Sequence, residues 1–209
     1  IFCFIFWDNL STDESANIVA RYDDPRIHYY LAPKHTALGM ARINASRHLR
    51  GEWIGILDVD DYWLKDNLEI KVGHGPIESK FGIIYSRYLV DRSEIKRNSF
   101  VGPRLRAMPS GIQYNRLAVK NFIGINTVLY RKSAFTEVGG FNDYTMAADH
   151  DLSIRVCKCY EIKGIDEVTS VYRIHESNYS RVQGNIMYNE RLSVARQLEK
   201  NIVRKNIFP

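Results

Sequence analysis

A short apolar run in the first third of the chain ends in a cluster of carboxylates. The run covers residues 53–57, and Asp58, Asp60 and Asp61 follow it directly. An apolar run of this length, bounded by glycine on one side and charge on the other, predicts a buried strand of a mostly parallel sheet. Ligands of open α/β sheets bind outside the carboxyl ends of the strands. We therefore expect these three side chains at a ligand-binding edge.

The spacing of the three carboxylates suits a divalent cation. Asp58 and Asp60 share one face if the strand geometry continues, whereas Asp61 begins the turn. Carboxylate oxygens suit Mg²⁺ or Mn²⁺, which bind phosphates together with one or two protein carboxylates. An alternative interpretation needs no metal, because aspartates commonly form turns at strand ends and Asp61 can cap the following helix.

Strands and helices alternate along the chain in the order of a Rossmann-like sheet. Strands are predicted at residues 1–7, 27–31, 53–57, 81–90, 122–130 and 168–174, and helices at 13–22, 36–50, 64–72 and 149–160. Residues 91–111 show little periodicity and predict a long functional loop, and residues 188–203 form a basic amphipathic tail. This pattern predicts a single α/β domain.

Composition narrows the class of protein. The 209 residues, 45% hydrophobic and 25% charged, carry a formal charge of +5 without a dense Lys/Arg tract, so no nucleic-acid partner is indicated. Three cysteines favour a reducing compartment over a disulfide framework. No apolar run reaches the length of a membrane span. The chain begins inside an apolar run without Met, which predicts a first strand upstream of Ile1.

Four motifs in a fixed order resemble those of the family 2 glycosyltransferases of the GT-A fold. These enzymes move a sugar from a nucleotide diphosphate donor to an acceptor hydroxyl with inversion at the anomeric carbon. The motifs are Asp8-Asn9-Leu10-Ser11-Thr12-Asp13, the segment from Gly39-Met40-Ala41-Arg42 to residue 54, Leu57-Asp58-Val59-Asp60-Asp61, and Val138-Gly139-Gly140-Phe141-Asn142 followed by Asp149-His150-Asp151-Leu152 and Arg155. The resemblance covers nearly the whole chain.

On the donor side, the resemblance implies a binding role for residues from three motifs. Asp8 would contact the nucleotide base, and Arg42 the rest of the nucleotide. Asp58 would hold the ribose or assist the metal, with Asp61 beside it among the donor-binding residues. Asp60 would coordinate Mn²⁺ or Mg²⁺ on the diphosphate.

The remaining roles fall in the second half of the chain. The resemblance implies Asp149 as the catalytic base, and Asp151 as a neighbour that orients the site or is itself the base. His175 resembles a position near the diphosphate, as a further metal ligand or phosphate contact. Each has a simpler alternative: the aspartates can cap a helix, and the histidine can be an ordinary strand-end residue.

The resemblance also implies how the chain is divided. Residues 1–90 would bind the nucleotide, 91–180 would shape the acceptor pocket, and 181–209 would form a helical tail. The implied partners are a nucleotide diphosphate sugar and a glycan or lipid-linked acceptor. The expected location is the cytoplasm, with a peripheral contact at the inner face of the membrane.

Two positions depart from the family pattern. Ile43 follows Arg42 where the family usually has Asn, and Ala148 precedes Asp149 where the family often has Glu. These departures leave open a non-catalytic nucleotide- or glycan-binding module of the same fold. A sugar nucleotidyltransferase is a further alternative, although no Gly-rich phosphate loop is visible near the N-terminus.

Overall fold

The computed structural model describes residues 2–73, 77–178 and 184–207. The strands are β1 Phe4–Asp8, β2 Ile27–Leu31, β3 Trp53–Gly55, β4 Tyr62–Trp63, β5 Phe81–Asp91, β6 Phe100–Gly102, β7 Leu129–Arg131 and β8 Glu161–Arg173. The helices are α1 Ser15–Ala20, α2 Leu38–Ser46, α3 Asn67–Val72, α4 Tyr114–Val119, α5 Lys132–Glu137, α6 Ala148–Cys157 and α7 Gly184–Ile207, with 3₁₀ turns at Ser93–Ile95 and Ile125–Thr127.

The described strands form two sheets. β1 and β2 pair in parallel as a small sheet, and the larger sheet has the order β3-β7-β5-β8-β4, with β6 added to β5. β5 and β8 are parallel, whereas the other pairings in the larger sheet are antiparallel. The predicted α/β class is confirmed, and the larger sheet is mixed.

β5 is the centre of the larger sheet and carries apolar side chains on both faces. Ile83 and Tyr85 belong to the main core, which includes residues of α4 and α6. Ile84 points to the opposite face, where it packs with Leu129 and Ile165 beneath α3. Because successive side chains of a strand alternate between faces, a strand covered on both sides is apolar throughout. This explains the continuous hydrophobic run that predicted it.

Three predicted strands differ from the structure, and the one expected over 168–174 already begins at Glu161, as β8. The strand leading to the acidic cluster ends at Gly55, so the carboxylates lie in a turn closed by a 3.0 Å hydrogen bond from the Asp61 N–H to the Asp58 carbonyl. The strand expected over 122–130 is replaced by a 3₁₀ turn and the short β7. The carbonyl of Asn126 instead accepts bonds from the side chains of Trp63 and Ser170, which draws this segment out of a regular ladder.

The C-terminal helix is attached to the rest of the molecule through its first turns. Glu190 of α7 accepts hydrogen bonds from the backbone N–H groups of Thr145, Met146 and Ala147, at 2.6 to 2.9 Å. Val194 of α7 is buried in the main core. Glu190 therefore satisfies three backbone donors of the segment that leads into α6. Within the described residues, no helix is both long enough and apolar enough to cross a bilayer.

Candidate active site

Asp61 connects the acidic turn to the larger sheet. Its side chain is buried and accepts hydrogen bonds from the Arg173 N–H at 2.9 Å and from Asn126 Nδ2 at 3.0 Å. Burial raises the pKa of this carboxyl to about 7, helped by the nearby charges of Asp60 and Asp58. With both oxygens engaged, Asp61 is placed to hold the turn against β8, and the structure leaves the other two carboxylates more exposed.

Asp60 faces a histidine and an asparagine from the segment after β8. Its Oδ2 lies 3.3 Å from His175 Nε2 and 3.3 Å from Asn178 Nδ2. The other ring nitrogen of His175 contacts Ser177 Oγ at 2.9 Å, and its backbone N–H donates to Asn178 Oδ1. These contacts fix the imidazole with Nε2 directed at the carboxylate, so the structure brings the two predicted metal ligands together.

The donor set at this point fits a divalent cation that a ligand also coordinates. A carboxylate oxygen and an imidazole nitrogen converge here, and imidazole suits Mn²⁺ while carboxylate suits both Mn²⁺ and Mg²⁺. In the part of the chain that the structure describes, no group of three or more His, Cys, Asp or Glu side chains is arranged to hold a metal by itself. Mg²⁺-type sites often keep only one or two protein ligands and take the others from phosphates or water.

Arg42 joins the acidic turn to the second carboxylate motif. Its Nη2 donates to both oxygens of Asp58, at 2.9 and 3.2 Å, from helix α2. Its positive charge also lowers the pKa of Asp149, against the stronger opposite effect of burial. Arg42 thus contacts Asp58 directly and acts electrostatically on Asp149, two residues that are far apart in sequence.

Asp149 sits in the first turn of α6 and is partly buried. Asn121 Nδ2 donates to its Oδ2 at 3.2 Å, and the hydroxyl of Tyr130 lies 3.4 Å from its backbone carbonyl. Burial raises the pKa of the Asp149 carboxyl, while Arg42, His150 and Asn121 partly oppose that rise. A carboxylate with a raised pKa is a stronger proton acceptor, which is what a general base requires.

Asp151 has a different environment, although it is only two residues away. Its Oδ2 accepts hydrogen bonds from Arg155 Nε at 2.9 Å, Arg155 Nη2 at 2.7 Å and Asn142 Nδ2 at 2.9 Å. Arg155 also donates to the carbonyls of Val138 and Gly140. The buried Asp151 therefore ties α6 to the Gly-Gly turn, and its paired carboxylate suits a positioning role.

Asp8 lies at the end of β1 in the small sheet. The Tyr29 hydroxyl donates to its Oδ2 at 2.5 Å, and the Ser11 N–H donates to its Oδ1 at 2.7 Å. The hydrogen bond from Tyr29 is the main cause of a lowered pKa at Asp8. The carboxylate is thus held ionised and oriented at the carboxyl end of a parallel strand, the edge at which ligands of such sheets bind.

Three residues that sequence reasoning missed complete this region. Asn178 and Asn121 orient Asp60 and Asp149, and Tyr29 orients Asp8. Each lies between about 20 and 120 positions from its partner, so no local spacing marks the pair. A polar residue at the edge of an apolar segment, as with Asn121 before Phe122, is the one available signal.

Comparison with known proteins agrees with the fold and the motifs. Residues 2–139 match the family described as Glycosyl transferase family 2. The chain is 26% identical over 175 residues to WfgD of Escherichia coli, a UDP-Glc:alpha-D-GlcNAc-diphosphoundecaprenol beta-1,3-glucosyltransferase; this match covers 83% of the chain and 66% of WfgD. It is 36% identical over 67 residues to the putative teichuronic acid biosynthesis glycosyltransferase TuaG of Bacillus subtilis, covering 31% and 27% of the two chains.

Two solved structures share the fold. S. aureus TarS (residues 1–349) superposes with a TM-score of 0.65 at 15% identity, covering 82% of this chain and 51% of that one. The mannosyltransferase PcManGT of Pyrobaculum calidifontis, solved with GDP-Man and Mn²⁺, superposes with a TM-score of 0.61 at 19% identity, covering 85% and 49%. The chain thus spans just under two thirds of WfgD and about half of each solved structure.

The predicted GT-A architecture is confirmed by these superpositions. The family match covers more than half of the chain and includes the acidic turn, Asp8 and Arg42. The chain therefore belongs to glycosyl transferase family 2.

Proposed function

We propose that this chain transfers a sugar from a nucleotide diphosphate sugar to an acceptor hydroxyl, with inversion, in the synthesis of a cell-surface glycan. Asp149 is the base in this proposal, and Asp8, Arg42 and Asp58 hold the donor. Residues 1–90 supply most of the donor site and residues 91–180 most of the acceptor site.

The position of Arg42 is the observation that carries the proposal. One guanidinium is hydrogen-bonded to Asp58, on the proposed donor side, and its charge also lowers the pKa of Asp149, the proposed base. Displacement at an anomeric carbon needs a proton acceptor on one side of the sugar and stabilisation of the departing diphosphate on the other. In this proposal Asp149 supplies the proton acceptor, and the region around Asp58 and Arg42 holds the diphosphate donor.

The transfer itself follows from this arrangement. The Asp149 carboxylate takes the proton from the acceptor hydroxyl as that oxygen forms a bond to the anomeric carbon. The bond from the anomeric carbon to the phosphate oxygen breaks, and the nucleoside diphosphate leaves with the electron pair. Attack from the side opposite the diphosphate inverts the anomeric configuration, and no covalent enzyme intermediate is needed.

Asp60 and His175 are the residues that would hold Mn²⁺ or Mg²⁺. When bound, the cation would neutralise charge that develops on the leaving diphosphate. Asn178 orients the Asp60 carboxylate, and Ser177 orients the His175 ring, so these two ligands are held in place by the protein. Asp61 keeps the turn that carries Asp58 and Asp60 against β8.

The relatives favour a particular donor and acceptor class. WfgD and WfaP of Escherichia coli are both described as using UDP-Glc and a diphosphoundecaprenol-linked GlcNAc. We infer a UDP-sugar as the donor and a lipid-linked saccharide diphosphate as the acceptor, handled at the cytoplasmic side of the membrane. PcManGT, in complex with GDP-Man, makes a GDP-sugar the first competitor to test.

A thermal-shift panel tests donor and metal binding together. UDP, GDP, CDP and dTDP are added with and without Mn²⁺ to the wild type, to Asp60→Ala and to the exposed control Asp23→Ala. A ligand bound by the folded state alone raises the melting temperature. We expect a shift with UDP that needs Mn²⁺, is lost in Asp60→Ala and is kept in Asp23→Ala. If none of the four nucleotides shifts the melting temperature, the proposed donor site is contradicted. A shift with GDP alone would reassign the donor.

A further inference from the structure

One short segment of the chain contacts both groups of carboxylates in the candidate site. It covers residues 121–126, which follow α4 and enter the second 3₁₀ turn, and we call it the bridging segment. At its first residue, the side chain of Asn121 donates to the carboxylate of Asp149. At its last residue, Asn126 Nδ2 donates to Asp61 Oδ2 at 3.0 Å. The proposed base and the acidic turn are therefore bonded to side chains that lie five positions apart.

Asn126 contacts the acidic turn and the strand that follows it. Its side chain is bonded to Asp61, and its backbone carbonyl accepts a hydrogen bond from Trp63 Nε1 at 2.7 Å. The same carbonyl accepts a second hydrogen bond, from Ser170 Oγ of β8 at 2.8 Å. Because Asp61 ends the turn and Trp63 belongs to β4, Asn126 holds the turn and the strand together.

Buried polar groups in turn fix the carbonyl of Asn126. Ser170 Oγ accepts a hydrogen bond from Asn67 Nδ2 at 3.1 Å, and Asn67 Oδ1 accepts one from Lys71 Nζ at 3.1 Å. Asn67, Lys71 and Ser170 are all at most 2% exposed. A buried polar network whose members are satisfied holds one arrangement, since breaking it leaves polar groups without partners. These bonds tie Asn126 to α3 as well as to β8.

The bridging segment itself is held in the core. Phe122 and Ile123 are buried in the main hydrophobic cluster. The N–H and the hydroxyl of Thr127 both donate to the Gly124 carbonyl, at 2.9 and 2.7 Å, and so close the 3₁₀ turn. Buried side chains and a closed turn leave the segment few alternative conformations. The segment therefore keeps its two terminal asparagines at a fixed separation.

We propose that Asn126 is a positioning residue that holds the acidic turn in place for the nucleotide diphosphate and its cation, while Asn121 holds the base. The proposal rests on the proposed function, in which Asp60 acts on the donor and Asp149 on the acceptor. Asn126 is 2% exposed and acts through Asp61 rather than on a ligand. Its position matters because a displacement of about 1 Å between reacting groups can cost about 10²-fold in rate.

Calorimetric titration of UDP and of GDP, each with Mn²⁺, tests this role without relying on transfer. The variants are Asn126→Ala, Asn126→Asp and the exchange variant Asp61→Asn/Asn126→Asp. Asn126→Asp keeps the shape of the side chain but replaces the N–H donor by a carboxylate oxygen. In the exchange variant, an amide N–H at position 61 can donate to a carboxylate at position 126, which restores the hydrogen bond in the opposite direction.

Two further variants serve as controls. Val156→Ala removes a buried apolar group of α6 and lowers stability without touching the bridging segment. Asn121→Ala removes the partner of the base and leaves the acidic turn intact. Both should bind the nucleotide as the wild type does. Circular dichroism melting curves show whether each variant is folded.

We expect Asn126→Ala and Asn126→Asp to bind the nucleotide at least about tenfold more weakly than the wild type. Loss of a residue that supports a metal site from behind typically costs about 10- to 100-fold in affinity. The exchange variant should recover most of this loss, because the hydrogen bond between the two positions is present again. If Asn126→Ala does not fold, the comparison of Asn126→Asp with the exchange variant decides the question.

Two results would overturn the positioning role and leave the transferase proposal standing. One is a wild-type affinity in Asn126→Ala, and the other is a folded exchange variant that binds no better than Asn126→Asp. A wild type that binds neither nucleotide in the presence of Mn²⁺ would instead contradict the proposed donor site, and the positioning role with it.

Discussion

Asn121 donates a hydrogen bond from its side-chain nitrogen to Oδ2 of Asp149 at 3.2 Å. The same asparagine accepts a bond from the Ile123 N–H at 3.1 Å, which fixes the direction of its amide. Asp149 thus has a rigid partner supplied by the segment after α4. This hydrogen bond lowers the pKa of Asp149 and so offsets part of the rise that burial causes.

Replacing Asn121 with Ala should shift the pH dependence of transfer. The asparagine lowers the pKa of Asp149, so its removal raises that pKa further above the ordinary value of 3.8. A general base works in its ionised form, so activity falls as pH drops through this pKa. The acidic limb of the rate profile should therefore move to higher pH in Asn121→Ala. The exposed Asn98→Ala is the control, and an unchanged acidic limb in Asn121→Ala would argue against Asp149 as the titrating base.

The different roles of Asp149 and Asp151 should appear in the stability of variants that affect each carboxylate. Arg155→Ala leaves the buried Asp151 carboxylate without its main partner, a change that typically costs about 3–5 kcal/mol. Urea denaturation should show that loss in the free energy of unfolding, whereas Asp149→Asn should change stability far less. If Arg155→Ala were as stable as the wild type while Asp151→Asn abolished transfer, Asp151 would be the better candidate for the base.

Lys71 should make stability depend on pH in the alkaline range. Its side chain is buried beside Asn67, and burial lowers its pKa from 10.5 to about 7. Between these two values the unfolded chain binds the proton that the folded chain has lost, so the free energy of unfolding rises with pH. The slope is at most about 1.4 kcal/mol per pH unit, and below pH 7, where both states are protonated, this contribution is constant.

Lys71→Met removes the group that titrates and should flatten that slope. It should also unfold at higher temperature than the wild type at pH 6, because no buried cation remains. Denaturation of both proteins at pH 6, 7, 8 and 9 checks this, with the exposed Lys65→Met as the control. Parallel pH curves for the wild type and Lys71→Met would show that the lysine is not buried in its neutral form.

Glu190 should be required for the attachment of α7. Its carboxylate accepts hydrogen bonds from three backbone N–H groups just before α6, and hydrogen bonds to charged groups contribute roughly 1.5–3 kcal/mol. Glu190→Ala should lower the free energy of unfolding by at least about that amount and speed hydrogen exchange at residues 145–147. The neighbouring exposed Asn189→Ala should have neither effect. Unchanged exchange at these amides in Glu190→Ala would contradict the capping role.

The sequence correctly predicted the elements that have strong local patterns. It failed where hydrogen bonds between residues distant in sequence determine the local structure. The strand over 27–31 is confirmed to the residue, in a short apolar and aromatic run that turn residues precede and follow. The expected strand over 122–130 was wrong, since Asn126 bonds with Trp63 and Ser170 instead of with a neighbouring strand. Such partners lie more than 40 residues away and leave no local trace.

The candidate site shows the same contrast between what the motifs indicate and what distant partners determine. The pairing of Asp60 with His175 places together two residues that only the family resemblance connected. The burial of Asp61 and the Arg155 partner of Asp151 could not be inferred from the motifs, because adjacent carboxylates look alike in sequence. The burial and the hydrogen-bond partners of these carboxylates distinguish them, and the role assigned to each carboxylate on this basis is a prediction that the variants test.

The measurement that tests the central claim most directly is transfer by the wild type and Asp149→Asn. Glucose from UDP-glucose is offered to a synthetic GlcNAc-diphospholipid with Mn²⁺, and the product's linkage is determined by NMR. We predict a β-linked product from the wild type and a loss of rate of about 10²- to 10⁴-fold in Asp149→Asn, with the thermal shift by UDP and Mn²⁺ retained. An Asp149→Asn variant that transfers at the wild-type rate, or an α-linked product, would contradict the account.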